Sequence, residues 1–218
     1  MTLLFRHKHS VASALLIAGL ALGTGPAGSQ VVTPAPEAQA DAPEEAERPK
    51  DLSSDPDAVR AAHLNELFSE LSKPDNPDWR NVQAQIWAAW NRSGSASMDL
   101  LLQRATKAMD ERDIETALLH LDDLVRLAPD YAEGWNKRAT VYFLQGDYGA
   151  SVADIQRVLM LEPRHFGALS GLGIILDRLG DEKGAMRAYR RTLEIHPNLE
   201  PAQEAVERLS PEVDGREL

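Results

Sequence analysis

The chain has 218 residues, of which 43% are hydrophobic and 26% are charged, and it contains no cysteine. The lack of cysteine excludes disulfides, thiol catalysis and cysteine-ligated metal sites. A net charge of −11 argues against a nucleic-acid backbone or an anionic membrane surface as the main partner. The length is enough for one ordinary domain, or two small ones, with a packed core.

Residues 1–29 have the composition of a targeting segment. They contain no acidic residue, and Arg6 and Lys8 precede an unbroken apolar run over residues 11–22. A helix of this length spans about 18 Å, which is shorter than the ~30 Å hydrocarbon core of a bilayer. A basic start before a short apolar run is typical of a secretory signal peptide. We therefore predict export to the periplasm, cleavage near Ser29-Gln30, and no stable membrane insertion after cleavage.

Two alternatives to the signal peptide stay open. A mitochondrial transit peptide is also basic and free of acids, although it is amphipathic and rich in arginine. The segment would act as an uncleaved anchor if cleavage failed. The small residues Ala38 and Ala40 offer a second cleavage site, farther from the apolar run.

Residues 30–56 have the composition of an unfolded spacer. They are rich in Pro, Ala and Glu and carry almost no large apolar side chain. Such a segment cannot bury enough surface to offset the entropy that is lost on ordering. We therefore predict a disordered acidic linker between the targeting segment and the folded part of the chain.

A helical hairpin is predicted over residues 57–97. Asp55 before Pro56 favours a helix start, because aspartate caps a helix and proline suits its first position. The pair Asn76-Pro77 is expected to open the second helix. Apolar residues recur at helical spacing along both helices: Leu64, Leu67, Phe68 and Leu71, then Trp79, Val82, Ile86 and Trp90. We expect this hairpin to cover the open side of the structure that follows, or to be a degenerate copy of its repeating unit.

Three consecutive segments of 34 residues share one pattern, and they span residues 98–131, 132–165 and 166–199. Small side chains recur at two positions where antiparallel helices can approach closely, and a proline recurs near each end. The residues that define the pattern are Pro129, Pro163, Pro197, Trp135, Tyr142, Gly173, Ala185 and Tyr189. Regular repetition at this period predicts a stack of helical hairpins.

Local motifs predict how these helices begin and end. The pairs Gly146-Asp147 and Gly180-Asp181 are suited to end a first helix and to cap a second one. Asp130 with Glu133 three residues later indicates a capping box. His165 stands at a helix start, where we interpret it as a weak cap.

The 34-residue pattern resembles the tetratricopeptide repeat (TPR) family, whose helix–turn–helix spacing is followed by Trp135, Ala139 and Tyr142. The resemblance covers about residues 98–199 and implies an all-α TPR solenoid of three repeats, in which the residues that define the pattern are structural. On residues 133–140 and 165–173 the chain is also similar to short TPR proteins exported by Gram-negative bacteria, which implies no known reaction.

Amphipathic structure continues after the third segment. Residues 200–210 predict a helix with one apolar face, which would cap the last hairpin of an open stack. Residues 211–218 are expected to form a loose tail. The complete prediction is three repeats between an N-terminal hairpin and a C-terminal capping helix.

No catalytic or cofactor motif occurs in the sequence. The histidines lack a metal-binding spacing, and no Walker loop, nucleophile elbow or dinucleotide fingerprint is present. We therefore predict a non-catalytic scaffold that uses no cofactor and binds a protein or peptide partner, with a monomer as the favoured state. The alternatives are a self-associating structural subunit and, less favoured, a cryptic enzyme or metal-binding protein.

The TPR resemblance implies a concave groove that is lined by the first helix of each repeat. The candidate partner-binding residues are Asn136, Thr140, Phe143, Ser170, Ile174 and Arg138. For Arg138, and for Arg104 one repeat earlier, an internal ion pair with Asp113 or Asp154 is the other interpretation. The lysine and asparagine set with which some TPR adaptors hold a terminal carboxylate is not reproduced.

Overall fold

The structure is a computed structural model, and it describes residues 55–213 and residue 215. The predicted signal peptide over residues 1–29 lies outside the described residues, as does nearly all of the predicted linker. The part of the chain that is described contains nine α-helices and no β-strand, so the predicted all-α fold is confirmed.

The helices follow one another as antiparallel pairs. Their bounds are α1 (Pro56–Leu71), α2 (Trp79–Trp90), α3 (Ala96–Asp110), α4 (Ile114–Leu127), α5 (Ala132–Gln145), α6 (Tyr148–Leu161), α7 (Phe166–Arg178), α8 (Glu182–Ile195) and α9 (Glu200–Val213). The three repeats contain α3–α4, α5–α6 and α7–α8. Their second helices begin 34 residues apart, at residues 114, 148 and 182. The exact limits of the predicted domains stay predictions.

Each second helix of a repeat begins at an aspartate cap. The side chains of Asp113, Asp147 and Asp181 accept hydrogen bonds from backbone N–H groups in the first turn, at 2.9–3.0 Å. The residue before two of these caps is a glycine with left-handed backbone, Gly146 at φ +78° and Gly180 at φ +80°. The first repeat places an arginine there at φ +60°, a conformation that an L side chain adopts only at some cost.

Close helix packing explains the small residues of the repeats. Gly173 is buried on α7 against the ring of Tyr189 on α8, and a Cβ added at Gly173 would lie 2.6 Å from that ring. Ala105, Ala117 and Ala185 are fully buried at the corresponding contacts. The predicted structural roles of Gly173, Ala185 and Tyr189 therefore follow from direct contact between paired helices.

The last helix closes the core of the third repeat. Ala202, Ala205 and Leu209 of α9 are buried in one apolar cluster with Ala185 and Tyr189 of α8. Burial of these side chains removes apolar surface that the final hairpin would otherwise expose. The predicted C-terminal capping helix is confirmed, but it continues to Val213, which is buried in the same cluster, so the prediction of a loose tail from residue 211 is wrong for residues 211–213.

The N-terminal hairpin begins as its sequence predicts. The side chain of Asp55 accepts the N–H of Asp57 at 3.0 Å, and Pro56 occupies the first turn of α1. The second helix starts later than expected, at Trp79. Asn76 accepts the N–H of Asp78 at 2.9 Å and so closes a turn before the helix rather than capping it.

The hairpin does not cover the open side of the first repeat, so our expectation for its position is wrong. Its buried residues on α1 and α2 share one apolar core with Leu159 of α6, Phe166 and Leu169 of α7, and Ile195 of α8. Residues of α3 and α4 do not belong to that core. The hairpin therefore lies along the turns that join the second and third repeats and the last helix, and it does not extend the stack.

Polar contacts fix the hairpin along this edge. Arg164, in the turn before α7, donates to Asn65 of α1 at 2.9 Å. At the far end, Arg80 of α2 forms an ion pair with Glu200 of α9 at 3.0 Å. The contacts span two successive turns between helices, so the hairpin is held at both ends.

Candidate partner-binding groove

A cavity of about 210 Å³ lies between α5 and α7, the first helices of the second and third repeats. Side chains of α6 form its floor, and most of its lining is apolar. The lining residues are Asn136, Ala139, Thr140, Phe143, Ser151, Ile155, Gly167, Ala168, Gly171, Ile174 and Ile175.

Four of the predicted groove residues line this cavity: Asn136, Thr140, Phe143 and Ile174. Ser170 lies on α7 but outside the lining, and so does Arg138 on α5. Gly167 and Gly171 also line the cavity, and the sequence did not identify Gly171 as a groove residue. Because Gly171 carries no side chain, the space beside Ile155 stays open to the cavity.

The polar groups at the cavity are partly used within the chain. The side-chain amide of Asn136 donates to Glu133 at 3.1 Å, and the hydroxyl of Thr140 donates to the carbonyl of Asn136 at 3.0 Å. The ring of Phe143 lies below the guanidinium of Arg178 at 4.8 Å, and Arg178 donates to the hydroxyl of Tyr148 at 3.1 Å. A cation therefore borders an otherwise uncharged cavity.

Arg138 is an internal residue, as its alternative interpretation proposed. Its guanidinium donates twice to Asp154 and once to Asp122, each at 2.8 Å. The hydrogen bonds to Asp154, opposed by burial and helped by Asp122, raise the pKa of Arg138. Since Asp122 belongs to α4, this cluster joins the first repeat to the second.

Arg104, at the equivalent place one repeat earlier, lies in a different environment. It is exposed and makes no ion pair with a residue that the structure describes. The first repeat carries His120 where the second carries Asp154, so the carboxylate that would bind Arg104 is missing. The predicted ion pair of Arg104 is therefore wrong.

Glu133 is buried in a polar network, and its predicted capping box with Asp130 is wrong. Only 1% of Glu133 is exposed, and its carboxylate meets Nε2 of His165 at 3.2 Å and Nζ of Lys137 at 3.2 Å. Tyr131 takes the cap position of α5 without a side-chain bond. Burial opposes the charge of Glu133, but the hydrogen bond from His165 and the nearby Lys137 keep its pKa below the ordinary value.

His165 caps α7 as predicted, and its contacts assign its tautomer. Its Nδ1 accepts the N–H of Ala168 at 3.1 Å, so the proton of the neutral imidazole is on Nε2 and is donated to Glu133. The imidazole is fully buried and stacks on the ring of Trp90, with centroids 4.1 Å apart and planes 6° apart.

A wider groove of about 1070 Å³ runs along α3, the first helix of the first repeat. Its lining comes from Asn91, Ala96, Asp99, Leu100, Leu102, Gln103, Arg104, Thr106, Lys107, Asp110 and Lys137. Lys137 thus connects this groove to the buried Glu133. The mixture of charged and apolar side chains here matches the composition expected for the rim of a protein interface.

Residues 55–213 and 215 show neither a candidate metal cluster nor a membrane-spanning helix. Among them, histidine and carboxylate side chains nowhere gather in groups of three or more that could hold a metal ion. None of the helices in this part of the chain has the length and apolar character needed to cross a membrane.

Comparison with known proteins identifies the family. The tetratricopeptide repeat profile matches residues 102–159 and 145–200. A TPR repeat-containing protein of Rhizobium etli is 44% identical over 153 residues, an alignment that covers 70% of this chain and 75% of the relative. The chain belongs to the TPR family. TPR domains act as protein–protein interaction modules, and proteins of the family are generally non-catalytic scaffolds.

More distant relatives share the TPR region. The small glutamine-rich tetratricopeptide repeat-containing protein 2 of Saccharomyces cerevisiae is 26% identical over 153 residues, which cover 68% of this chain and 43% of the relative. Among solved structures, the Sgt2 TPR domain from Aspergillus fumigatus has a TM-score of 0.52 and 21% identity, covering 56% of this chain and 83% of that chain.

A second solved structure shows the same fold with a ligand. The first TPR of Spaghetti (RPAP3), bound to an HSP90 peptide, has a TM-score of 0.51 and 20% identity, covering 54% of this chain and 93% of that chain. At this identity the likeness concerns the fold alone.

Proposed function

We propose that this protein is a non-catalytic interaction module of the bacterial cell envelope, which binds a segment of a partner protein in the cavity between α5 and α7. The observation that carries the proposal is the cavity itself. It is apolar, it opens between the first helices of adjacent repeats, and Asn136 and Thr140 are part of its wall.

The size of the cavity favours a side chain of a protein as its occupant. Pockets for small molecules enclose about 300–1,000 Å³, whereas this cavity encloses about 210 Å³. A buried apolar anchor in a well-formed pocket contributes much of the binding energy of a protein interface. An aliphatic or aromatic side chain of the partner, placed against Phe143 and Ile174, would fill the space.

Polar groups at the cavity suit a peptide backbone. One N–H of the Asn136 amide is bound to Glu133, which fixes the orientation of the side chain, and the amide still has a carbonyl that can accept a backbone N–H. A surface of three repeats is small, so we expect a transient complex with a micromolar dissociation constant.

The envelope location rests on the sequence of residues 1–29. A basic start, a short apolar run and small residues near Ser29 support export. The acidic linker that follows would separate the repeats from the exit site in the membrane.

Capture of partners from an envelope extract tests the groove. Ile174 is 38% exposed and lines the cavity, so Ile174→Lys places a charge there without removing a buried side chain. Met160 is 68% exposed on α6 and lies outside the lining, and Met160→Lys is the matched control. We expect Ile174→Lys to lose the partner and Met160→Lys to retain it.

Retention of the partner by Ile174→Lys would overturn the proposal. Equal recovery of the partner by the wild type and by a folded Ile174→Lys variant would exclude the cavity as the binding site. Circular dichroism and thermal melting of all three proteins would establish that each is folded.

A further inference from the structure

We propose that the N-terminal hairpin sets the shape of the groove, and that it acts on both walls of the cavity through His165 and Glu133. The hairpin itself is outside the cavity lining. His165 and Glu133 are therefore positioning residues, and Trp87 and Trp90 are the hairpin side chains that hold them. The consequence for partner binding rests on the proposed function, but the effect on the groove does not.

The hairpin reaches the third repeat through two tryptophans of α2. Trp90 stacks face to face on the imidazole of His165, and Trp87 meets the same imidazole edge-on, with ring centroids 5.7 Å apart. Phe166, the first residue of α7, packs against both indoles with centroids 5.2–5.3 Å apart. The imidazole is fully buried, so its place is fixed by the hairpin.

His165 transmits this contact to the α7 wall of the cavity. Its Nδ1 accepts the N–H of Ala168, a cavity residue in the first turn of α7. An N–H in the first turn has no partner within its helix, so the hydrogen bond to His165 is what orders the Ala168 N–H. Beside it, the indole of Trp87 lies on Gly167, where an added Cβ would be 2.7 Å from the ring. Gly167 is also a cavity residue.

Glu133 transmits the contact to the α5 wall. The carboxylate oxygen that accepts from His165 also accepts the side-chain amide of Asn136, and Asn136 lines the cavity. The other oxygen is 3.2 Å from the ammonium of Lys137, which lines the wider groove along α3. One buried carboxylate therefore links the hairpin side of the molecule to residues of both grooves.

This arrangement has a thermodynamic consequence. The docked hairpin orders Asn136 and the first turn of α7. A partner that needs these groups ordered therefore binds more tightly when the hairpin is docked. By thermodynamic linkage, the bound partner stabilises the docked hairpin by the same factor. A loosened hairpin lowers the affinity of the groove although no hairpin residue lines the cavity.

Two matched tryptophan variants of the chain test the coupling. Trp90→Leu removes the ring that stacks on His165. Trp79→Leu removes a ring from the other end of the same hairpin, where it contacts His196 at 5.1 Å. The measurements, made without a partner, are amide hydrogen exchange at Ala168 and the NMR resonances of the Asn136 side-chain amide.

We expect Trp90→Leu to lower the protection of the Ala168 amide roughly tenfold and to shift the Asn136 resonances. Trp79→Leu should change Ala168 protection less than about twofold. Unchanged values in Trp90→Leu, or equal changes in both variants, would overturn the proposal, because equal changes indicate general loosening.

A milder variant covers the case in which Trp90→Leu does not fold. Gly167→Ala displaces Trp87 by contact while keeping every buried side chain of the hairpin core. Lowered protection of Ala168, corrected for the new neighbouring side chain, would support the coupling, and unchanged protection would contradict it. Neither measurement uses a partner, so failure here leaves the capture experiment with Ile174→Lys as a separate test of the proposed function.

Discussion

Trp90 of the N-terminal hairpin stacks on His165, the residue that caps the first helix of the third repeat, with ring centroids 4.1 Å apart. This contact joins two elements that are distant in the sequence into one core. Because His165 also binds Glu133 of the second repeat, the hairpin, the second repeat and the third repeat meet at a single buried imidazole.

Close packing in the third repeat predicts opposite effects at two glycines of α7. A Cβ at Gly173 would lie 2.6 Å from the ring of Tyr189, whereas the nearest atom to a Cβ at Gly171 is 3.9 Å away. We expect Gly173→Ala to lower the free energy of unfolding by about 1–3 kcal/mol. Gly171→Ala should be neutral or stabilising, since alanine is the better helix former.

Thermal and urea unfolding of the two variants measures this difference. An unchanged melting temperature for Gly173→Ala would mean that the paired helices do not approach as the structure places them.

The ion cluster between the first two repeats predicts a large loss of stability. Arg138 is only 16% exposed and binds Asp154, which is 6% exposed, and also Asp122. Asp154→Asn removes the buried carboxylate and leaves the guanidinium with only the exposed Asp122 as a charged partner, which should cost about 3–5 kcal/mol. The control is Glu194→Gln at an exposed pair with Arg191, which should stay within about 0.5 kcal/mol. If Asp154→Asn and Glu194→Gln lowered the free energy of urea unfolding by similar amounts, the burial of the Arg138–Asp154 pair would be contradicted.

His196 predicts a pH dependence of stability. Burial lowers the pKa of His196 from 6.5 to about 4, so the folded chain keeps the imidazole neutral while the unfolded chain takes up a proton near pH 6.5. Stability from this group is complete above pH 6.5 and declines as the pH falls toward 4. The lowered pKa of Glu133 acts from the lower edge of this window downward, because stability from this carboxylate is lost as the pH falls below its ordinary pKa of 4.5.

A variant isolates the contribution of the histidine. His196→Gln should make the free energy of unfolding depend less steeply on pH between 6.5 and 4, by about one proton. Identical slopes for the wild type and the variant, measured by urea unfolding at several pH values, would rule out His196 as the source.

The repeats could be predicted from the sequence because their signals are local and periodic. A helix pair of fixed length places Gly146, Asp147 and Pro163 at fixed distances, and each acts on its own turn. An internal ion pair was one interpretation of Arg138 from its place in the repeat, with Asp113 or Asp154 as the acid, and the structure supplies Asp154. The groove residues Asn136, Thr140, Phe143 and Ile174 were predicted from the concave face that the TPR resemblance implies.

The hairpin and the buried network could not be predicted in this way. The periodicity of α2 shows that Trp90 faces a core, but it does not show which core, since the choice depends on surfaces far along the chain. Glu133 fits a local capping motif with Asp130. In the structure, the carboxylate of Glu133 instead contacts His165 and Lys137, and a single sequence carries no signal for these contacts.

Export predicts a shortened mature protein. Cleavage after the small residues near Ser29 should give an N-terminus near Gln30, and cleavage at the second site would give one near Asp41. N-terminal sequencing of protein from the periplasmic fraction measures this directly. Recovery of a chain that begins at Met1 from the cytosol would contradict the proposed location.

The central claim is that the cavity between α5 and α7 receives a side chain of a partner, and methyl NMR of the captured complex tests it most directly. We predict that the methyl resonances of Ile174 and Ile175 and the amide of Gly171 shift on binding, while the methyl of Met160 on α6 stays unchanged. Shifts confined to Met160 and the outer helices, with Ile174 and Gly171 unaffected, would contradict the account.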